Sequence, residues 1–297
     1  MLSLGIDLGS SSVKVTIYDP VKARVLASGQ HPESEMEIIA RRAGWAEQQP
    51  AQWWEAFITA FLKAVKRADI DPARIECIGI SYQMHGLVCL DENGDVLRPS
   101  IIWCDSRAVE IGREALKELG EAYAFQHLLN SPGNFTASKL AWVKRNEPQI
   151  FERIAKICLP GDYLAYRLTG KLTTTLTGLS EGIFYDFERG ELSRPLLRHF
   201  GFPRDIFPPV LESFDDHGRI SRESATELGL STEATVTYKA GDQPNNAFSL
   251  NVMHPGQIAA TGGTSGVVYG LSDRLFIDRS QRVNSFAHVN HRSDEPR

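Results

Sequence analysis

No run of apolar residues in this 297-residue chain approaches the length of a membrane-spanning helix. Basic residues are also not in excess. Lys and Arg number 32 against 37 Asp and Glu, a net charge of −5, which argues against a membrane or nucleic-acid partner and leaves only a local basic groove open. Cysteine is scarce. Cys77, Cys89, Cys104 and Cys158 show no CxxC spacing and three lie in apolar stretches. That excludes a disulfide framework or zinc ribbon and predicts reduced thiols in a cytoplasmic protein. His288 and His291 form a lone H-x-x-H without further ligands, so no metal centre is expected there. The P-loop pattern G-x-x-x-x-G-K-[ST] is absent. So is a Rossmann fingerprint, because the first glycine turn leads into a second strand rather than a helix. The start of the chain carries no basic segment or cleavage site, so no secretory leader is expected. What remains is an ordinary globular composition, 42% hydrophobic and 23% charged, long enough for about two domains.

The most informative stretch is Lys239-Ala240-Gly241-Asp242-Gln243-Pro244-Asn245-Asn246-Ala247. It follows an expected strand over 235–238 and opens an expected helix over 244–251, with Pro suited to the first turn. Gly241 permits a sharp corner. Asp242 therefore stands beside backbone amides that lack intrahelical partners. A carboxylate there can accept a proton from a substrate hydroxyl, while the helix end favours phosphate. It can equally be a plain N-cap.

Residues 2–8 and 13–19 read as a strand pair around Gly9-Ser10-Ser11-Ser12, with a third strand near 24–29. That turn offers amides and hydroxyls to a phosphate, and Asp7 before it can hold magnesium directly or through water. A plain hairpin explains the same residues. Trp53, Trp54, Phe57, Ile58, Phe61, Leu62 and Val65 recur at helical spacing over 50–67 and predict a helix packed on a sheet. The apolar run 75–81 reads as a strand ending in Tyr82-Gln83-Met84-His85-Gly86. Open α/β sheets place ligand contacts at such ends, and Gln83 and His85 suit a polyhydroxyl ligand. A structural histidine is the alternative. Trp103 precedes Cys104-Asp105-Ser106-Arg107, where a helix is expected to begin, and offers a face for stacking a sugar or for the core. Thr136 is expected to cap the following helix, and the Thr-rich run to Thr177 is expected to be extended or looped. Near the end, strand 257–261, turn 262–266 and strand 267–271 repeat the design of the first hairpin.

Together these residues resemble the FGGY carbohydrate kinases. Gly5-Ile6-Asp7-Leu8-Gly9-Ser10-Ser11-Ser12-Val13-Lys14 is similar to that family's first phosphate motif. Gly241-Asp242-Gln243 is similar to its catalytic-base motif, and Thr261-Gly262-Gly263-Thr264-Ser265-Gly266 to its second phosphate motif. Gln83-Met84-His85-Gly86 resembles the Q-M-H-G segment of the xylulokinase subgroup, and Trp45-Ala46-Glu47-Gln48 and Trp103-Cys104-Asp105-Ser106-Arg107 also fit. The resemblance implies an α/β fold of the RNase H-like, actin/hexokinase type, a mixed sheet flanked by helices. It divides the chain into an N-terminal sugar-binding lobe, 1–253, and the beginning of a C-terminal lobe, 254–297. It implies ATP and magnesium, and phosphorylation of a ketopentose such as D-xylulose at its terminal hydroxyl. Asp242 would be the base. Gln83, Met84, His85, Trp103, Asp105 and Gln243 would contact the sugar. Asp7, Gly9, Ser10, Ser11, Ser12, Lys14, Gly263, Thr264 and Ser265 would attend the phosphates, with Asp7 orienting magnesium.

Two departures bear on this. Gln243-Pro244-Asn245-Asn246 and Ser11-Ser12 differ from common family variants, which keeps gluconate, ribulose, fuculose or glycerol open as substrates, and a non-catalytic sugar binder as well. Family members also carry a complete second lobe, so the chain reads as a fragment inactive alone. Its expected intramolecular partner is the missing lobe, and an exposed hairpin edge makes a homodimer the other way to cover residues 254–297. Those residues are expected to be poorly ordered, folded back on the first lobe, or paired with another chain.

Overall fold

The computed structural model describes residues 1–262 and 266–292. Its centre is a five-stranded sheet: β1 (Leu2–Leu8), β2 (Val13–Asp19), β3 (Arg24–His31), β4 (Ile75–Tyr82) and β5 (Thr235–Gly241), in the order β5-β4-β1-β2-β3. β1 runs antiparallel to β2 and parallel to β4, which is parallel to β5. This is the expected mixed sheet, and each strand lies within three residues of where its sequence pattern puts it. The alternation in β1 explains why. Leu2, Leu4, Leu8 and Ile6 are buried, while Ser3 and Asp7 turn to the other, half-open face.

The buried face is covered by α1 (Pro50–Ala68) and α4 (Pro160–Thr169), with α2 (Val109–Leu119) and α3 (Thr136–Asn146) between them in the chain. Trp53, Phe57 and Phe61 of α1 are wholly buried, worth about 1.5–3 kcal/mol each as apolar side chains. Gly29 on β3 lets α1 approach closely, since a Cβ there would collide with the Ala60 carbonyl. The guanidinium of Arg167 on α4 lies 4.7 Å from the Trp54 ring and ties the two helices together.

Between β4 and β5 the chain builds a second apolar core from Leu87, Ile101, Leu140, Phe184, Leu196 and Phe207, among others. It contains α5 (Leu176–Glu181), which starts as the threonine-rich run ends: residues 171–175 are looped or extended as expected, and only Leu176 and Thr177 of the run are helical. Thr175 nucleates it by accepting the Gly178 N–H at 2.9 Å. Thr136 is the first residue of α3 rather than its cap, and its hydroxyl reaches the Gly86 carbonyl instead. The helix expected at Asp105 begins at Val109.

After β5 come α6 (Asp242–Ser249) and the hairpin of β6 (Ile258–Gly262) and β7 (Gly266–Gly270). Ala247 and Val252 share a small core with Ala259 and Leu271, so the hairpin is seated on α6. Its outer residues Ile258 and Val268 are largely exposed. The chain then returns to the first lobe. Ser285 exchanges two hydrogen bonds with Asn130, at 2.6 and 3.0 Å, and the Ala287 N–H donates to Ser180 Oγ at 2.9 Å. Of the three outcomes expected for 254–297, folding back is the one seen over 285–287. The His288 ring hydrogen bonds with the Tyr269 hydroxyl at 3.1 Å. All four cysteines are free; Cys89 and Cys158 are buried and Cys104 is exposed. Among the described residues no helix is long and apolar enough to cross a membrane.

Candidate active site

Leu8, Tyr82 and Gly241 are in register across β1, β4 and β5. The three parallel strands therefore end together, and the Gly9–Ser12 turn, the Gln83–Gly86 loop and Asp242 emerge at one edge. Ligands collect at that edge of a parallel sheet because the strand ends leave a crevice between loops. Asp242 is the first residue of α6 and follows a buried glycine. A Cβ on Gly241 would come within 2.5 Å of both Glu181 Oε2 and Met84 Cγ. Burial, and secondly the negative charge of Asp7, raise the Asp242 carboxyl to about 6, and amide bonds from Gln243 and Asp242 itself oppose this. A carboxylate poised there is ionised at neutral pH yet a far stronger base than an exposed aspartate.

Met84, His85 and Gln243 line a cavity of about 820 Å³ with Leu129, Tyr269 and Phe286. This volume is that of a small-molecule site. The structure thus brings together three of the expected sugar contacts beside the expected base. The others lie elsewhere. Gln83 is buried, and its amide donates to Gln48 Oε1 at 3.1 Å. Trp103 is half exposed and donates to Ser10 Oγ at 3.2 Å, so it lies against the first turn and not on the cavity wall. Asp105 is a correction: it is wholly buried, and its carboxylate accepts the Ala46 N–H at 2.6 Å and pairs with Arg107 at 2.7 Å. Arg107 also pairs with Glu47 at 2.7 Å, and its guanidinium lies 3.9 Å from the Trp45 ring. Both Asp105 oxygens are used inside the protein, so this aspartate orders the loop instead of offering a carboxylate to the cavity.

At the first turn the Gly9 N–H donates to the Ser12 carbonyl at 3.1 Å. Ser10 and Ser11 reach the surface and Ser12 is buried. Asp7 and Lys14 face each other across β1 and β2, 3.6 Å apart and about half exposed. Such an ion pair contributes little stability, which leaves both groups free to exchange partners. Gly263, Thr264 and Ser265 lie outside the described residues.

Three residues of the site carried no assignment from the sequence. Gln48, wholly buried, donates to the Ser10 carbonyl at 2.7 Å and accepts from Trp53 Nε1 at 3.0 Å and from Gln83, coupling the first turn to α1 and to the end of β4. Glu181 and Lys139 are buried ionisable groups beneath the Met84–His85 loop. Burial raises Glu181 well above the carboxylate range and pushes Lys139 down to about 7. A separate buried pair, Lys239–Asp162 at 2.7 Å, fixes β5 to α4. The cap at Thr175 was the one local signal for α5 and hence for Glu181.

Residues 2–249 match the N-terminal domain of the FGGY family of carbohydrate kinases. The chain is 33% identical over 286 residues to the xylulose kinase of Klebsiella pneumoniae, covering 96% of this chain and 58% of that protein. It superposes with TM-score 0.89 on a solved xylulose kinase from Rhodospirillum rubrum, 26% identical, over 97% of this chain and 58% of that one. The same score and coverage hold for a "xyloylose kinase" from Brucella ovis at 32% identity. The chain therefore spans somewhat over half the length of the relatives it matches.

Proposed function

The chain belongs to the FGGY family of carbohydrate kinases, and from that premise we propose that it supplies the sugar site and catalytic base for ATP-dependent phosphorylation of D-xylulose to D-xylulose 5-phosphate. One observation carries the reading. Asp242, raised to about 6 by burial, stands at the end of β5 next to a cavity lined by Met84, His85 and Gln243. The named relatives add the choice of sugar.

In this proposal the terminal hydroxyl of the sugar gives its proton to Asp242 as its oxygen bonds to the γ-phosphorus. The bond from that phosphorus to the β–γ bridging oxygen breaks and ADP leaves. Met84, His85 and Gln243 place the sugar. The Gly9–Ser12 turn, Lys14 and, in the second hairpin, Gly263, Thr264 and Ser265 attend the phosphates. Among the described residues no three His, Cys, Asp or Glu side chains form a metal cluster. Asp7 and Asp242 do offer hard oxygens close enough for the charge of one to raise the other. That donor set fits magnesium completed by phosphate oxygens and water. Asp7 would hold the ion, which when bound neutralises phosphate charge. The reading places the protein in the cytoplasm and takes residues 1–253 as the sugar lobe. The rest of the kinase fold, rather than a second copy of the chain, covers the hairpin, and the isolated chain transfers little phosphate.

The test is calorimetric binding of D-xylulose to the purified chain beside Asp242→Ala. Binding that weakens in the variant supports the reading. Tighter binding of gluconate, ribulose, fuculose or glycerol moves it to that sugar, and failure of a folded chain to bind any of them refutes it.

A further inference from the structure

His85 holds φ at +61°, in the left-handed region that residues with a Cβ rarely enter. Both of its peptide groups are gripped by side chains buried from solvent. Lys139 Nζ on α3 donates to the His85 carbonyl at 2.7 Å, and the His85 N–H approaches Glu181 Oε1 on α5 at 3.4 Å. Lys139 and Glu181 are 0% and 1% exposed. Either protonation state of Lys139 can donate, and either state of Glu181 can accept. The ring is fixed as well. Nδ1 lies 2.9 Å from the Glu181 backbone oxygen, with Phe135 edge-on at 4.9 Å and Phe286 at 5.3 Å between centroids.

A peptide oxygen only accepts, so Nδ1 must carry the proton. Burial and then the Lys139 charge push the imidazole down to about 3, so the ring is neutral across the physiological range. Nε2 is left as a bare acceptor. It has no hydrogen-bond partner among the described residues, and His85 lines the 820 Å³ cavity.

We propose that Lys139 and Glu181 are positioning residues that lock His85 as the Nδ1-protonated tautomer, so that Nε2 accepts a hydrogen bond from a ligand hydroxyl and rejects a carbonyl or carboxylate oxygen at that subsite. This deepens the carbohydrate-kinase reading of the cavity and rests on it for the identity of the ligand. The two helices do more here than pack. A histidine free to exchange tautomers would accept or donate with similar ease and would not select the polarity of the group it meets.

Long-range proton–nitrogen spectra of the histidine-labelled chain test this, with His85→Asn assigning the resonance. The expected result is a protonated Nδ1 and an unprotonated Nε2 that persist between about pH 5 and 8, with the Nε2 resonance moving when D-xylulose is added. Lys139→Met should lose the single tautomer and weaken D-xylulose binding at least about tenfold, a factor of the size expected for one buried hydrogen bond. Lys139→Arg should restore part of both. A wild-type ring protonated on Nε2 overturns the lock, whether or not any variant folds. So does a folded Lys139→Met with unchanged tautomer and affinity. A locked Nδ1–H ring in a chain that binds no sugar overturns the carbohydrate reading and not the lock.

Discussion

Replacing Asp242 should make the folded chain more stable, and only where its carboxyl would be charged. Asp242 is raised from 3.8 to about 6, first by burial and second by Asp7. The folded chain therefore binds this proton more tightly than the unfolded chain does. Above about pH 6 the carboxylate is ionised in both states, and the fold carries the full cost of holding the charge out of water. The difference is about two pKa units at ~1.4 kcal/mol each, or on the order of 3 kcal/mol. As the pH falls through 6 the folded group takes up its proton and the cost fades. By about pH 4 the unfolded group is protonating too, and the contribution is nearly gone. Asp242→Asn keeps the shape without the charge. It should stabilise the chain by about 2–3 kcal/mol at pH 8 and by almost nothing at pH 4. Urea unfolding followed by tryptophan fluorescence at one-unit steps between those limits measures it. Asp7→Asn should shrink the gain by lowering the Asp242 value. A gain that is flat with pH, or a loss at pH 8, would falsify the argument that Asp242 is held ionised against its surroundings. On the proposed function, the counterpart in an assembled kinase is a phosphoryl-transfer rate that declines as pH drops below about 6, where Asp242 would take up its proton.

Three further outcomes follow from the same geometry. Gly241→Ala meets no backbone strain, since φ is −60°, yet its Cβ would collide with Glu181 Oε2 and Met84 Cγ at 2.5 Å; a loss of about 1–3 kcal/mol in a thermal melt is expected, and a neutral result would show that the corner has slack. Lys239→Met leaves the Asp162 carboxylate buried without its 2.7 Å partner and should cost about 3–5 kcal/mol in urea unfolding. Adding Asp162→Asn should recover part of that loss, since the damage comes from the uncompensated charge. Gln48→Met strips partners from the Ser10 carbonyl, Trp53 Nε1 and the Gln83 amide. It should cost about 1–3 kcal/mol and shift the tryptophan emission, and an unchanged spectrum would refute the role given to Gln48.

The mixed sheet, α1 and the strand-to-helix corner at Asp242 were legible in the residue order because each is signalled locally. Alternating Leu2, Leu4, Ile6 and Leu8 specify which face of β1 is buried, and a helical stripe through Trp53, Phe57 and Phe61 specifies α1. Gly241-Asp242 before Pro244 marks the corner that carries the proposed base. Tertiary contacts decided what those signals could not. Asp105 has the same composition cue as Asp242, but Arg107 and the Ala46 amide consume its oxygens, and Glu47 holds Arg107 in place. Trp103 looks like a sugar platform; the fold ties its Nε1–H to Ser10 and leaves the ring half exposed. Lys139 and Glu181 stand 42 positions apart in the chain and show no pattern, yet α3 and α5 bring both to the peptide groups of His85. Local spacing reports the face an element buries. Whether a buried charge is spent on the protein or kept for a ligand depends on partners distant in sequence, which only the packed fold brings within hydrogen-bonding reach.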